Sequence, residues 1–168
     1  DSLLLWTHRM RQITVHEAFL PEGAPAGTKA EAAITVQAGN RWLEVYDQAT
    51  RAGRYVQGGG CTSVGACGGF VLGSGFGSFS KRFGTGAANL LQAKVITADG
   101  VIRTVNAHQH PDLFFALRGG GPCTFAVLSE ITLLSHPIPQ RLTVITGGVK
   151  ASTDAAYREL IEAFMRFA

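Results

Sequence analysis

Charge is scarce in this sequence of 168 residues. Lys and Arg number 15 and Asp and Glu number 12, which together make up 16% of the chain and leave a formal charge of +3. The basic residues form no block longer than short pairs such as Lys81-Arg82, whereas a nucleic-acid interface needs a denser patch. No apolar run approaches the ~18 residues of a membrane span. The sequence therefore predicts neither a nucleic-acid partner nor a membrane segment, and its 46% of hydrophobic residues favours a packed core over disorder.

Cysteine is also rare, and its pattern excludes two kinds of stabilising site. The chain has three cysteines, Cys61, Cys67 and Cys123, and an odd number cannot form a closed disulfide framework. Their spacing matches no CxxC zinc motif. We expect Cys67 and Cys123 to be small buried thiols.

The two common phosphate-binding motifs are missing. No GxxxxGK[ST] sequence occurs, which excludes a Walker loop. No GxGxxG sequence occurs either, and the nearest string, Gly73-Ser74-Gly75-Phe76-Gly77, does not open a predicted helix. The common nucleotide-binding folds are therefore disfavoured.

Glycine, by contrast, is abundant. It accounts for 21 of the 168 residues, and nine glycines fall between Gly58 and Gly77, a content that predicts no stable regular helix there. Two explanations are open at this point. The glycines form tight turns in a β protein, or they let backbone N–H groups approach a flat or anionic ligand closely.

Turn residues and apolar periodicity predict a series of short strands and helices. Asp99-Gly100 lies between two apolar segments and predicts a hairpin over residues 93–105. Pro111 at a first helical position, followed by Asp112, predicts a short helix. The further predicted elements are a strand at Ala33–Gly39, a helix from Leu43 to Gly53, a β-rich run at Thr124–Leu134, a strand at Leu142–Ile145 and an amphipathic helix from about Thr153.

Several ordered segments together resemble one protein family. They are Gly60-Cys61-Thr62-Ser63-Val64-Gly65, Gly73-Ser74-Gly75-Phe76-Gly77, Phe83-Gly84, Val95-Ile96-Thr97-Ala98-Asp99-Gly100, residues 111–121 (PDLFFALRGGG) and Thr124-Phe125-Ala126-Val127. Their order and spacing resemble the second half of the flavin-binding domain of FAD-linked oxidases of the vanillyl-alcohol-oxidase/PCMH superfamily, and most closely the berberine-bridge-enzyme-like subgroup. The resemblance extends over about residues 33–134.

The resemblance implies which residues contact FAD. The backbone of residues 60–77 would line the pyrophosphate and the isoalloxazine ring, and the strand at Phe125-Ala126-Val127 would contact the flavin or the adenosine end. Cys61 stands where some relatives attach FAD through a 6-S-cysteinyl bond; the alternative is a plain buried thiol beside noncovalent FAD. The residues expected to bind the cofactor are Gly60, Cys61, Val64, Gly65, Gly68, Gly69, Gly73, Ser74, Gly75, Phe76, Gly77, Ala126 and Val127.

The histidines offer one competing possibility. His108 and His110 are two residues apart and could clamp a metal in a strand. In the resembling family, however, the position of His110 belongs to a helix cap before Pro-Asp. We therefore expect no metal site.

The resemblance also implies a fold and a domain division. It implies an α+β class, with a PCMH-type FAD-binding subdomain that has a mainly antiparallel sheet plus helices. Residues 1–137 would be the second part of that domain, and residues 138–168 the beginning of a substrate domain. Other subdomains of the family, or another chain, would complete the structure and cover apolar residues such as those of Leu3–Trp6.

The implied function is that of part of an FAD-dependent oxidase. Such an enzyme passes a hydride from an alcohol, a sugar or an activated C–H group of a small-molecule substrate to flavin, which dioxygen reoxidises. The resemblance gives no position in this chain for a catalytic base, so we expect the isolated chain to be inactive. The alternative is a non-catalytic fragment or subunit that packs against partner chains and does not bind FAD alone.

Overall fold

The computed structural model describes residues 4–122 and 124–167. The chain divides into two compact units, Asp1–Ile138 and Pro139–Ala168. The assignment of residues 1–137 to an FAD-binding domain and of residues 138–168 to a substrate domain stays a prediction. No helix among the described residues is both long and apolar enough to span a membrane.

The first unit is built on an antiparallel sheet. Five strands lie in the order β1-β2-β6-β4-β5, and β3 pairs with the C-terminal end of β6. All described pairings are antiparallel, which confirms the expected α+β class and differs from the parallel sheet of a Rossmann fold. The strands are β1 (Ile13–Phe19), β2 (Glu31–Gln37), β3 (Arg54–Val56), β4 (Leu90–Ile96), β5 (Ile102–Asn106) and β6 (Val127–Pro137).

The central strand β6 contributes buried side chains to the core. Ile131 pairs with Val36 of β2 on one side and with Ala93 of β4 on the other. Ile131 and Leu133 are both fully buried, two positions apart on the same strand. Side chains two apart lie on the same face of a strand, so these residues direct one face of β6 into the core.

Among the described residues, four helices belong to the first unit and one to the second. They are α1 (Trp42–Arg51), α2 (Gly69–Leu72), α3 (Ser80–Phe83) and α4 (Pro111–Leu117), followed by α5 (Asp154–Phe167) in the second unit. Helix α1 buries Trp42, Val45 and Ala49, which are spaced by three and four residues as one helix face requires. It ends before Gly53, whose φ of +68° is a left-handed conformation that glycine adopts without strain.

Several predicted elements are confirmed. Strands β4 and β5 form the predicted hairpin around Asp99-Gly100, and Gly100 has the positive φ (+77°) that such a turn needs. Helix α4 begins at Pro111 as expected, and the amphipathic helix predicted from about Thr153 is α5.

Three predictions need correction. Residues 142–145 form no strand, because the second unit offers no described partner strand, and Leu142, Val144 and Ile145 are exposed. Strand β6 begins at Val127, so Phe125 and Ala126 precede the strand rather than belong to it. The glycine-rich segment contains the one-turn helix α2, which packs Val71 and Leu72 into the core and so overcomes the poor helix propensity of its glycines.

The glycine-rich segment closes tightly on itself. A Cβ atom added to Gly77 would overlap the carbonyl oxygen of Gly58 and the amide nitrogen of Gln57. The fully buried Gln57 also donates a hydrogen bond from Nε2 to Ser80 Oγ, 3.0 Å away, and Ser80 Oγ accepts the Gly77 N–H at 2.9 Å. The two ends of the segment are therefore in direct backbone contact.

We expect Gly77→Ala to lower the free energy of unfolding by about 3 kcal/mol, because a backbone carbonyl cannot move away as a flexible side chain can. Gly65→Ala is the matched control: an added Cβ there meets no atom within 4 Å, so its effect should stay within about 0.5 kcal/mol. Urea unfolding of both variants measures the difference. Equal stabilities of the two variants would contradict the close approach of Gly58 and Gly77.

An aromatic cluster lies where β3 meets β6. The His136 ring stacks on Phe83 with centroids 4.1 Å apart, and its Nε2 lies 2.9 Å from Asn89 Oδ1. Burial, together with the positive charges of Arg54 and Arg82, lowers the pKa of His136. The folded protein therefore resists protonation of this ring more than the unfolded chain does.

We predict that the free energy of unfolding decreases as the pH falls from 7 to 5, because the unfolded chain takes up a proton at the ordinary histidine pKa of about 6.5 and the folded chain does so only at lower pH. His136→Gln should reduce this slope, since it removes the titrating group. The glutamine side-chain amide replaces the ring N–H as a hydrogen-bond donor. Urea titrations at several pH values provide the measurement, and an identical slope in the variant would assign the pH dependence to other groups.

Candidate functional site

The first turn of α1 holds one part of the glycine-rich segment in place. The Trp42 N–H donates to the Val64 carbonyl at 2.9 Å, and the Leu43 N–H donates to the Thr62 carbonyl at 3.0 Å. These amides lie in the first turn of a helix, where no intrahelical partner exists. The loop after Cys61 thus satisfies the start of α1, and the helix in turn fixes the path of the loop.

A tyrosine holds the backbone between β3 and this loop. The Tyr46 hydroxyl donates a hydrogen bond of 2.5 Å to the Gly59 carbonyl, and burial raises the pKa of this tyrosine. Its ring lies beside that of Trp42, with centroids 5.4 Å apart. The position of Tyr46 on the helix gives no sequence signal that it faces a loop 13 residues away.

The glycines expected to bind the cofactor fall into two groups. Gly60, Gly65 and Gly68 have open space where a Cβ would stand, and for Gly69 the nearest atom is Pro122 Cβ at 3.8 Å. Gly75 and Gly77, in contrast, are buried against protein atoms. The first group leaves backbone accessible to a ligand, while the second group serves the packing of the segment itself.

The residues predicted to bind the cofactor line separate cavities and surfaces. Gly68, Gly69, Ala126 and Val127 line one cavity of about 630 Å³. Gly60 lines a smaller hollow of about 260 Å³, and Ser74 lines a third of about 530 Å³. Val64 and Phe76 are exposed, and a Cβ added to Gly73 would lie 3.0 Å from the Gly69 carbonyl oxygen.

The 630 Å³ cavity is the largest of the three, and residues from five parts of the chain build it. Besides the predicted members, its walls include Leu5, Thr7, Leu72 and residues 96–98 at the end of β4. Sequence reasoning missed these residues, because only the folded sheet brings the end of β4 beside the start of β6. Ile96 pairs with Val127 in that register.

Cys61 is an exposed thiol with a hydrogen-bonding neighbour. Its Sγ lies 3.3 Å from Ser63 Oγ. This contact, with help from the backbone N–H groups of Ser63 and Val64, lowers the pKa of the Cys61 thiol. A thiolate is the nucleophilic form of cysteine, so the exposure of Cys61 and the lowered pKa of its thiol both favour nucleophilic chemistry.

Cys67 has the opposite environment. It packs against the core, and burial, together with the negative charge of Glu130, raises the pKa of its thiol to about 12. Its partly buried position agrees with the predicted inert thiol. Cys123 lies outside the described residues.

Of the two histidines that could clamp a metal, His110 occupies the N-cap position of α4. It has a left-handed conformation, with φ of +53°. The described residues contain no group of three His, Cys, Asp or Glu side chains close enough to hold a metal ion.

Comparison with known proteins identifies similar sequences. Residues 1–106 match the family model described as FAD binding domain. An uncharacterized FAD-linked oxidoreductase of Arthroderma benhamiae is 37% identical over 158 residues, which is 94% of this chain and 28% of that protein.

Solved structures of similar fold come from the same group of proteins. The VAO-type flavoprotein MtVAO713 of Myceliophthora thermophila C1 has a TM-score of 0.73 and 33% identity over 79% of this chain. Glucooligosaccharide oxidase of Acremonium strictum, a protein with 6-S-cysteinyl, 8α-N1-histidyl FAD, has a TM-score of 0.64 and 32% identity over 79% of this chain. The alignments cover 23% and 25% of these two proteins. The chain thus spans about a quarter of the length of the proteins that it matches.

We predict that a thiol reagent modifies Cys61 much faster than Cys67. At pH 8 a thiol with a pKa of about 12 has a thiolate fraction roughly a thousandfold smaller than one with a pKa below 9. Ser63→Ala should move the reactivity profile of Cys61 to higher pH, because the hydrogen bond to sulfur is lost. Peptide mapping after timed alkylation separates the thiols, and Cys67 serves as the internal control.

Two results would contradict this assignment. Equal alkylation rates of Cys61 and Cys67 would show that their environments do not differ as described. An unchanged pH profile in Ser63→Ala would show that the serine hydroxyl does not stabilise the thiolate.

Proposed function

The chain belongs to the FAD binding domain family, and from this membership we propose that it forms one wall of the flavin site in an FAD-dependent oxidoreductase. The observation that carries the proposal is the open backbone of Gly60, Gly65, Gly68 and Gly69, together with the exposed thiol of Cys61 in the same segment. A flat ring can lie directly against backbone that has no side chains. A Cβ at these glycines would occupy the space that such a ring needs.

We assign the cofactor contacts on the same grounds. The open glycines and Cys61 would face the isoalloxazine ring, and Ala126 and Val127 would contact another part of FAD from the walls of the 630 Å³ cavity. The buried Gly75 and Gly77 would act through the shape of the segment rather than by contact. When bound, FAD supplies the acceptor for a hydride from an alcohol, a sugar or an activated C–H group, and dioxygen is the proposed final oxidant.

Cys61 is proposed as the point of covalent attachment. Glucooligosaccharide oxidase, which is similar to this chain, has a 6-S-cysteinyl bond to FAD. Here the Cys61 thiolate would form a bond from Sγ to a flavin ring carbon, and the hydrogen on that carbon would leave. Dioxygen would take up the two electrons and two protons as hydrogen peroxide, which balances the step. Ser63 would favour it by stabilising the thiolate.

The chain supplies no group that we assign as the catalytic base. Since the chain spans about a quarter of the length of the proteins that it matches, we propose that the chain alone would bind FAD weakly and convert no substrate. A binding site with only some of its contacts loses affinity steeply, since the entropic cost of association remains.

A second candidate function follows from the apolar residues near the start of the chain. Leu4, Leu5 and Trp6 are 86%, 62% and 73% exposed, and exposed clusters of this kind mark contact surfaces. In this alternative the chain is a non-catalytic module that packs against a partner through Leu4–Trp6 and carries no flavin of its own.

The test uses protein expressed from its complete gene. We expect a yellow colour that survives acid precipitation, and its loss in Cys61→Ala with folding unchanged. Cys67→Ala is the matched control and should keep the acid-stable flavin. Gly65→Val should lower the affinity for FAD at least tenfold by filling the open space, whereas Gly147→Val, which also has open space, should not.

The two candidate functions give different results. A colourless protein with a free Cys61 thiol would favour the non-catalytic module. An acid-stable flavin in Cys61→Ala would remove this cysteine from the attachment site, and an unchanged FAD affinity in Gly65→Val would contradict the proposed wall.

A further inference from the structure

One helix holds the glycine-rich segment on both sides of Cys61. After the cysteine, N–H groups in the first turn of α1 donate to the Thr62 and Val64 carbonyls. Before the cysteine, the hydroxyl of Tyr46, later in the same helix, donates to the Gly59 carbonyl at 2.5 Å. These three carbonyls are two residues before Cys61 and one and three residues after it. Helix α1 therefore sets the position of the cysteine from both directions.

The contact with Tyr46 comes where the chain leaves the interior. Gly58 is buried and Gly59 is half-buried, whereas Gly60 and Cys61 are exposed. A Cβ added to Gly60 would meet no atom within 4 Å, so packing does not restrict this position. Because glycine backbone is otherwise free to turn, the hydrogen bond at Gly59 fixes the direction in which the chain approaches Cys61.

Tyr46 is well suited to act as a fixed anchor. Its ring lies beside that of the fully buried Trp42, with centroids 5.4 Å apart. A Cβ added to Gly58 would overlap both the Tyr46 hydroxyl and the Trp42 ring, so the backbone lies directly against them. Burial raises the pKa of Tyr46. The hydroxyl therefore keeps its proton, and with it the hydrogen bond to Gly59, throughout the neutral pH range.

The hydrogen bond between Cys61 and Ser63 depends on the hold on both sides. Ser63 lies between the two residues whose carbonyls bind the first turn of α1, while Cys61 follows the residues that Tyr46 holds. The distance of 3.3 Å between Cys61 Sγ and Ser63 Oγ therefore joins two separately anchored parts of the loop. A displacement of the first part would lengthen this contact and move the sulfur, and bond formation is sensitive to shifts of about 1 Å.

We propose that Tyr46 is the positioning residue of Cys61: through the Gly59 carbonyl, its hydroxyl keeps the Cys61 sulfur beside Ser63 and at the place of flavin attachment. The effect on the thiol is independent of the proposed function, and the effect on attachment rests on it. In that attachment, Cys61 Sγ bonds to a flavin ring carbon in place of hydrogen, and dioxygen takes up the two electrons and two protons as hydrogen peroxide. Tyr46 exchanges neither electrons nor protons in this step.

The first test measures the pH midpoint of Cys61 alkylation in the chain without flavin. Tyr46→Phe removes only the hydroxyl. We expect it to raise the midpoint by about half a pH unit, because a looser contact with Ser63 stabilises the thiolate less. Tyr55→Phe is the matched control: Tyr55 is also half-buried and donates to Gln57 Oε1 at 2.7 Å. This variant loses a comparable hydrogen bond away from the cysteine and should keep the midpoint.

A double variant separates the positioning role from a general loss of stability. Both tyrosine variants should lower Tm by similar amounts, since each loses one hydrogen bond. In a Ser63→Ala background, Tyr46→Phe should shift the midpoint no further, because the contact through which it acts is already absent. A second shift of the same size would contradict this route. An unchanged midpoint in Tyr46→Phe, or an equal rise in Tyr55→Phe, would overturn the positioning role.

The second test uses flavin-free protein from the complete gene, mixed with FAD. Tyr46→Phe should bind FAD with an affinity within about twofold of the wild type and form acid-stable flavin about tenfold more slowly, because the sulfur is no longer held in place. Tyr55→Phe should match the wild type in both measurements. Attachment at the wild-type rate in Tyr46→Phe would overturn its role in attachment. A wild-type protein that forms no acid-stable flavin would contradict the proposed attachment, and the alkylation midpoint would then decide the role of Tyr46.

Discussion

The packing of the Phe70 ring determines the shape of the glycine-rich segment. A Cβ added to Gly59, Gly75 or Gly86 would lie between 2.5 and 2.9 Å from carbon atoms of this ring. The ring also meets Trp42 edge to face, with centroids 5.0 Å apart. Phe70 thus lies in a space that exists only because three positions distant in sequence have no side chains. The segment is compact because of this contact, although its composition resembles that of a flexible linker.

This constraint separates two uses of glycine that look identical in the sequence. At Gly75, Gly77 and Gly86 the missing side chain lets other parts of the protein pack closely. At Gly60 and Gly65 the missing side chain leaves accessible backbone that the rest of the segment holds rigidly. A ligand that binds such backbone meets a surface already ordered by Phe70 and by the first turn of α1, so little entropy is lost on binding.

Local signals predicted much of the fold and little of the site. The Asp99-Gly100 turn and Pro111 specify a hairpin and a helix start through their own backbone preferences, and both lie where expected. The expected strand over residues 142–145 failed because a strand depends on a partner that its own sequence does not encode. The open or closed state of each glycine, and the left-handed conformation of Ser74, depend on contacts with residues far along the chain. No local pattern reports them.

The two thiols of the segment show how the same packing creates chemical differences over a short distance. Cys61 and Cys67 are six residues apart, yet one pKa is lowered and the other raised. Between them, Ala66 is fully buried and donates its N–H to the Asn40 carbonyl at 3.0 Å, which draws the chain from the surface into the core. Cys61 remains outside, beside the Ser63 hydroxyl, while Cys67 enters the apolar interior. Since a thiolate is disfavoured inside and stabilised outside, burial opposes ionisation of Cys67, while Cys61, beside the open glycine backbone, keeps the lower pKa.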